Sequence, residues 1–323
     1  MTPTALILKD AVVRYDRLTA VDGVSLELRR GETLGLVGES GCGKSSVARA
    51  IVGLQPLAAG KLTIEGETLQ DLTSRRRSDL QRRIQLLFQD PAASLSPRMT
   101  VHSLLAEPLK IRKVHTPESW ARISALAEGI GLGEQLLSRY PHQLSGGQAR
   151  RVALVRALAA EPSIIVADEP TAGLDISIQG ELLNLLRALR DRLSLSYLLI
   201  SHNLNVVGRV TDRVAVMYLG QIVESGPTAA LFRDPAHPYT QALLSANLTL
   251  DPGRRRVRIV LSGELPSPSN PPSGCRFHKR CPLAKPRCVG EAPTLQAGAD
   301  GRSVACHFPL TAEAIVLPQA IAG

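Results

Sequence analysis

Aromatic residues make up only 3% of this 323-residue chain, which holds one tryptophan, four phenylalanines and five tyrosines. So few flat rings leave little platform for stacking single-stranded bases. Long apolar runs are missing too: no stretch reaches the roughly 18 consecutive residues that a membrane-crossing helix requires. The opening Met1-Thr2-Pro3-Thr4 lacks the charged and apolar regions of a secretory signal. Together these absences predict a cytosolic chain that reaches a membrane only by docking to other subunits. Cysteine is scarce, and four of the five lie in the last fifty residues. Basic charge, in contrast, is in excess, with a net charge of +9. Apart from Arg75-Arg76-Arg77 and Arg254-Arg255-Arg256 the arginines are scattered, as on a solvated surface rather than a nucleic-acid footprint. An apolar content of 44% is ample for a core.

The residues from Val24 to Leu28 alternate apolar and polar, which predicts a half-buried strand. The apolar run Thr33 to Val37, a glycine-rich turn and the small-residue segment Ser45 to Val52 read as strand, loop, helix. From about 90 to 160 the periodicity is helical, with Thr116-Pro117-Glu118 as a start signal, and a helical subdomain is expected there. Ser163 to Ala167 reads as a buried strand. Ile176 to Arg192 reads as an amphipathic helix with Ile178, Leu182, Leu185, Leu186 and Leu189 on one side. Leu195 to Ser201 is a further apolar run that ends at His202. Strands alternating with helices imply a mostly parallel sheet covered on both faces. From Leu250 onward proline, serine, glycine and cysteine take over. A boundary is expected there, between a domain of residues 1–250 and an extension of 251–323.

Gly38-Glu39-Ser40-Gly41-Cys42-Gly43-Lys44-Ser45 fits the pattern G-x-x-x-x-G-K-[ST] between a strand and a helix, as a phosphate-binding loop requires. A chance match in a chain of this length is on the order of one in a hundred. The glycines let backbone amides converge on phosphate oxygens, and the following helix turns its positive end toward the anion. Lys44 supplies a full charge, Ser45 a hydroxyl for Mg²⁺, and Ser46 continues the same turn. Cys42 reads as a small filler within the loop. Ile164-Ile165-Val166-Ala167-Asp168-Glu169 puts two carboxylates at the exit of a buried strand, where open α/β sheets bind ligands. Asp168 suits Mg²⁺, and Glu169 suits the polarisation of an attacking water.

Leu144-Ser145-Gly146-Gly147-Gln148 lies between these two motifs, and with it the chain resembles the ABC ATPase family. The order continues with Gln89 at that family's Q-loop, Ala172-Gly173-Leu174-Asp175 at its D-loop and His202 at its switch histidine. Tyr15 matches the aromatic that stacks on adenine. The resemblance implies an α/β P-loop NTPase of ABC type, with a RecA-like parallel core, an antiparallel β subdomain and a helical subdomain. It also implies head-to-tail pairing, in which Ser145, Gly147 and Gln148 meet the nucleotide held by a second subunit. Glu169, His202 and Gln89 then carry catalysis, and Ser45, Gln89 and Asp168 hold Mg²⁺. Two features depart from the pattern: Asn203 stands where many relatives have Asp, and Gly173 where Ala is usual.

Phe88-Gln89-Asp90-Pro91, Ser94-Leu95-Ser96-Pro97-Arg98, His237-Pro238-Tyr239-Thr240 and Gly263-Glu264-Leu265-Pro266-Ser267-Pro268 are similar to the ATPases of dipeptide, oligopeptide and nickel importers. That likeness implies a peripheral subunit on the cytoplasmic face of the membrane. Its expected companions are a sister ATPase, two transmembrane permease subunits and an extracytoplasmic substrate-binding protein, with no nucleic acid. A chelated-metal cargo, a soluble ATPase acting on nucleic acid or ribosomes, and a subunit that binds ATP without hydrolysing it are the competing readings. Intact Glu169 and His202 speak against the last. Cys275, Cys281, Cys288 and Cys306 have neither zinc-finger nor ferredoxin spacing. Likeness to these importers implies a [4Fe–4S] cluster. A zinc site drawing on His278 or His307, unligated thiols and a disulfide stay open beside it.

Overall fold

The computed structural model describes residues 3–90, 94–246, 259–261, 263–264, 266–298 and 300–311. Along the chain run β1 (Thr4–Tyr15), β2 (Leu18–Arg29), β3 (Thr33–Val37), α1 (Lys44–Ile51), β4 (Ala59–Ile64), β5 (Glu67–Thr68), α2 (Ser74–Gln81) and β6 (Ile84–Leu87). Next come α3 (Val101–Ile111), α4 (Pro117–Gly129), α5 (Gly146–Ala159), β7 (Ile164–Asp168), α6 (Ile176–Leu193) and β8 (Ser196–Ser201). They are followed by α7 (Leu204–Val210), β9 (Arg213–Tyr218), β10 (Gln221–Pro227), α8 (Thr228–Arg233), α9 (Pro238–Ser245), α10 (Pro286–Gly290), β11 (Gln296–Ala297) and β12 (Ser303–Val304). These elements fall into two compact units. One is built mainly from residues 64–198, the other from 6–27, 32–63 and the described residues after 198.

In the first unit β6 lies parallel to β7, with Ile84 opposite Ile164 and Leu87 opposite Ala167. Ile164, Ile165, Val166 and Ala167 are all buried, the unbroken apolar run of a parallel strand covered on both faces. Helices α3 to α6 close over one apolar cluster that includes Leu104, Leu105, Leu109, Val152 and Val155. Trp120 leans on this cluster with its ring 4.3 Å from that of His102. The start signal at 116 works as expected: the Thr116 hydroxyl accepts from Ser119 N, and Pro117 takes the first helical position. The stripe on α6 differs from the sequence expectation. Leu183, Leu186 and Leu189 are buried, and Leu182 and Leu185 are partly so. Ile178 is 38% exposed, because in the first helical turn it borders an open groove shared with Gly147, Arg150 and Leu182.

In the second unit β3 runs parallel to β9, with Leu36 opposite Ala215. β9 pairs with β10 antiparallel, β10 with β12 and β12 with β11. The ladder slips between Ile222 and Glu224, which marks a bulge. β1 lies between β2 and β4. The strand expected from Val24 to Leu28 extends over the whole of β2, and Val24, Leu26 and Leu28 are its buried face. The core around β9 contains Val214, Val216, Leu231, Tyr218, Tyr239 and Phe277, with Cys275 and Cys281 packed against it. The boundary expected at 250, Arg254-Arg255-Arg256, Pro91 and Leu265 lie outside the described residues. Among the described residues no helix is long and apolar enough to cross a membrane.

Candidate active site

The fully buried β3 delivers the chain to Gly38, and α1 begins at Lys44. Two glycines of this loop are forced by close approach. Gly38 and Gly43 have φ of 157° and 109°. A Cβ there would stand 2.2 Å from the carbonyl oxygens of Met217 and Ala20 respectively, so only glycine fits. Lys44 is buried, and its ammonium donates to Gly38 O at 2.8 Å and Glu39 O at 2.9 Å. The Cys42 thiol lies 3.7 Å from the same nitrogen, and burial pushes its pKa up. Ser40, Gly41 and Ser45 are exposed, and Ser46 is half-buried. Two bonds tie the loop to the core: Glu39 N donates to Tyr239 Oη at 2.9 Å, and Gly220 N donates to Cys42 O at 2.8 Å. Tyr15 ends β1 half-buried, its hydroxyl without a hydrogen-bond partner among the described residues. His202 directly follows β8 and is exposed. Asn203 caps α7, its side-chain oxygen accepting from Asn205 N at 3.0 Å and Val206 N at 3.4 Å. That is work an Asp in its place could also do.

In the first unit Asp168 closes β7, and Glu169 takes a left-handed backbone with φ of 49°. This conformation re-aims the chain, at a cost for any residue with a Cβ. Gln89 Nε2 reaches Glu169 Oε2 at 3.4 Å, a long hydrogen bond that brings those two expected site residues together. The following turn ends in Asp175, whose carboxylate caps α6 by accepting from Ile178 N at 3.0 Å and from the Ser177 hydroxyl at 2.8 Å. The Ile178 amide, then the Ser177 hydroxyl, hold its pKa below the usual range. Arg150, absent from the sequence expectations, donates to Ala172 O at 2.6 Å and fixes the start of the Ala172 to Asp175 turn.

The Leu144 to Gln148 motif is a reciprocal helix cap. Ser145 Oγ accepts from Gln148 N at 3.2 Å, and Gln148 Oε1 accepts from Ser145 N at 3.0 Å. This S-x-x-Q box starts α5 and leaves Ser145 and Gly146 exposed and Gly147 half-buried.

Cys275, Cys281, Cys288 and Cys306 line one small cavity together with His278 and His307. All four are free thiols. Burial pushes Cys281 and Cys306 up to about 11, and the neighbouring cysteines add to the rise. Among the described residues no group of three or more His, Cys, Asp or Glu side chains is arranged to hold a metal ion.

Residues 21–172 match the family model "ABC transporter", and residues 223–288 match "Oligopeptide/dipeptide transporter, C-terminal region". The chain belongs to the ABC transporter family, as an ATP-hydrolysing ATP-binding protein of the branch that carries this carboxyl-terminal region. It is 47% identical over 293 residues to the oligopeptide transport ATP-binding protein OppF of Escherichia coli, which covers 90% of this chain and 87% of the relative. It is 44% identical over 301 residues to the dipeptide transport ATP-binding protein DppF of Haemophilus influenzae, covering 93% and 92%. Solved structures agree on the fold. CbiO1 of Clostridium perfringens superposes with a TM-score of 0.64 at 26% identity, over 72% of this chain and 91% of that one. The bacterial ABC transporter cassette MJ0796 gives 0.62 at 27%, over 69% and 98%.

Proposed function

We propose that this chain hydrolyses ATP to energise the import of peptides across the cytoplasmic membrane. The observation that carries the reading is the glycine-only turn at Gly38 and Gly43 with Lys44 folded into it, in a chain of this family. Residues Gly38 to Ser46 hold the triphosphate, and Tyr15 stacks on the base. The oxygen donors Ser45, Gln89 and Asp168 suit a hard cation, so they hold Mg²⁺, which neutralises charge on the phosphates when bound. Glu169 accepts the proton of the attacking water, Gln89 orients Glu169, and His202 stabilises the charge that develops on the transferred phosphoryl group. Ser145, Gly147 and Gln148, with Asp175 at the end of the turn that Arg150 holds, serve the nucleotide of a second, sister ATPase, so neither subunit is complete alone.

The remaining partners in this reading are two transmembrane permeases and an extracytoplasmic binding protein that selects the cargo. The chain itself sits peripherally on the cytoplasmic face. Residues 1–250 form the ATPase domain and 251–323 the extension. For the extension the reading is a [4Fe–4S] cluster on Cys275, Cys281, Cys288 and Cys306, with zinc as the alternative; four free thiols around one cavity support it, and since they form no ready ligand set among the described residues they would have to draw in around the group. Anaerobic purification with assays for iron and acid-labile sulfide tests it, and bound zinc or no metal overturns it. For the ATPase reading the decisive variant is Glu169→Gln in the assembled transporter. Nucleotide binding should persist while hydrolysis falls by about 10²- to 10⁴-fold. Unchanged turnover removes Glu169 from the role of base.

A further inference from the structure

Glu39 is an odd residue for a loop that must receive a triphosphate. It adds a negative charge to a residue of the loop, between Gly38 and Ser40, whose own backbone carbonyl accepts from the Lys44 ammonium at 2.9 Å, and a negative charge carried on the loop opposes the approach of an anion. The structure gives this carboxylate a dedicated partner far along the chain. Arg280 Nη1 donates to Glu39 Oε2 at 2.7 Å, and Nη2 donates to Oε1 at 3.2 Å, a two-pronged fork. The Arg280 side chain is 10% exposed and that of Glu39 26%, so water screens the pair only in part. Arg280 also lies over the Tyr218 ring, 6.0 Å from its centre.

The segment that supplies Arg280 is itself anchored. Phe277 is buried against Tyr218 and Tyr239, and it is Tyr239 whose hydroxyl accepts from Glu39 N. Arg276 donates to Leu219 O and pairs with Asp22. Gly220, the residue after Leu219, donates to Cys42 O inside the loop. The six residues from Cys275 to Arg280 therefore touch the loop at Glu39 directly and at Cys42 through Gly220, and Cys275 and Cys281 flank these contacts.

We propose that Arg280 is a positioning residue for nucleotide binding: it neutralises and orients Glu39, so that the cysteine-rich extension sets the affinity of the phosphate loop for ATP. This inference rests on the reading of Gly38 to Ser46 as the triphosphate site. It assigns the carboxyl-terminal region a part in nucleotide binding, because losing the segment's shape withdraws Arg280 and leaves the Glu39 carboxylate of the loop without its cation.

The test is a cycle on the full-length chain, with the Kd for a fluorescent ATP analogue plus Mg²⁺ measured alongside a thermal melt for each variant. Arg280→Ala should weaken binding about ten-fold, within the range usual for two coupled sites. Arg280→Lys, which keeps the charge and loses the fork, should fall between wild type and Arg280→Ala. In the Glu39→Gln background, Arg280→Ala should change the Kd by less than about two-fold, because no carboxylate is left to neutralise. A Kd unmoved by Arg280→Ala, or an equal loss in both backgrounds, overturns the proposal. Should Arg280→Ala melt too early to measure, Arg280→Lys in the same two backgrounds decides by the same criterion. Wild type that binds no nucleotide would bring down the ATPase reading itself. Binding that needs Lys44 but ignores Arg280 would bring down only this inference.

Discussion

Phe277→Ala is the substitution with the largest effect that the structure supports in the extension. The ring is 1% exposed and meets Tyr218 at 5.2 Å edge-on, Tyr239 at 5.4 Å and His237 at 5.7 Å. Truncating a fully buried phenylalanine removes its transfer free energy and leaves a cavity that close-packed neighbours fill only in part, about 3–5 kcal/mol in all. The ring contacts fall inside that range, since such terms overlap rather than add. Spread over a unit of this size, the loss corresponds to a drop in melting temperature of roughly 6–20 °C. Urea titration read by amide exchange in β9 and β10, which house Tyr218 and its neighbours, is the fitting assay. Phe277→Leu, which keeps most of the volume, should cost less than about 1.5 kcal/mol. The reasoning is refuted if Phe277→Ala costs under about 1 kcal/mol, or if β9 and β10 keep their protection while only the cysteine-bearing segment loses its own. Either result would mean that the segment rests on the core without being part of it.

Gly43→Ala should abolish tight nucleotide binding, since its Cβ collides with Ala20 O in a backbone of φ 109°; an unaltered Kd by calorimetry would refute the close-approach argument. Ser145→Ala should lower stability by about 1 kcal/mol through loss of the α5 cap, and Ser145→Gly by only a few tenths; equal losses in urea titration would show that the hydroxyl is not capping. Burial holds the His237 imidazole down at about 3, whereas the unfolded chain binds that proton near about 6.5. This contribution is complete above about pH 6.5 and is lost as pH falls toward 3, amounting to about 2 kcal/mol by about pH 5. In His237→Asn, which retains an acceptor for Tyr239 N, the pH-dependent part of the melt should shrink by that amount; an unchanged slope counts against a neutral buried imidazole.

What could be read from the chain before folding was what local spacing encodes. The loop from Gly38 to Ser45 and the strand ending at Asp168 show themselves because a turn, a strand exit and the residues that use them are adjacent in sequence. The S-x-x-Q box at Ser145 belongs with them, although its service as a helix cap emerges only from the bonds of Gln148. Periodicity over-read α6, because a regular pattern cannot say that the first turn borders a groove and leaves Ile178 exposed. Arg150 and Arg280, and the bond from Glu39 N to the Tyr239 hydroxyl, stay hidden for a different reason. Arg280 and Glu39 are 241 residues apart, and nothing in either neighbourhood marks the other as its partner. A cysteine count drew attention to Cys275 and Cys281, yet the residues that reach the phosphate loop lie between them.

The left-handed backbone at Glu169 has an evolutionary consequence. Any side chain there is strained, and glycine would relieve that strain by about 1 kcal/mol or more. A screen for thermal robustness alone would therefore favour Glu169→Gly and discard the very group proposed to polarise water. At this position durability and turnover pull in opposite directions.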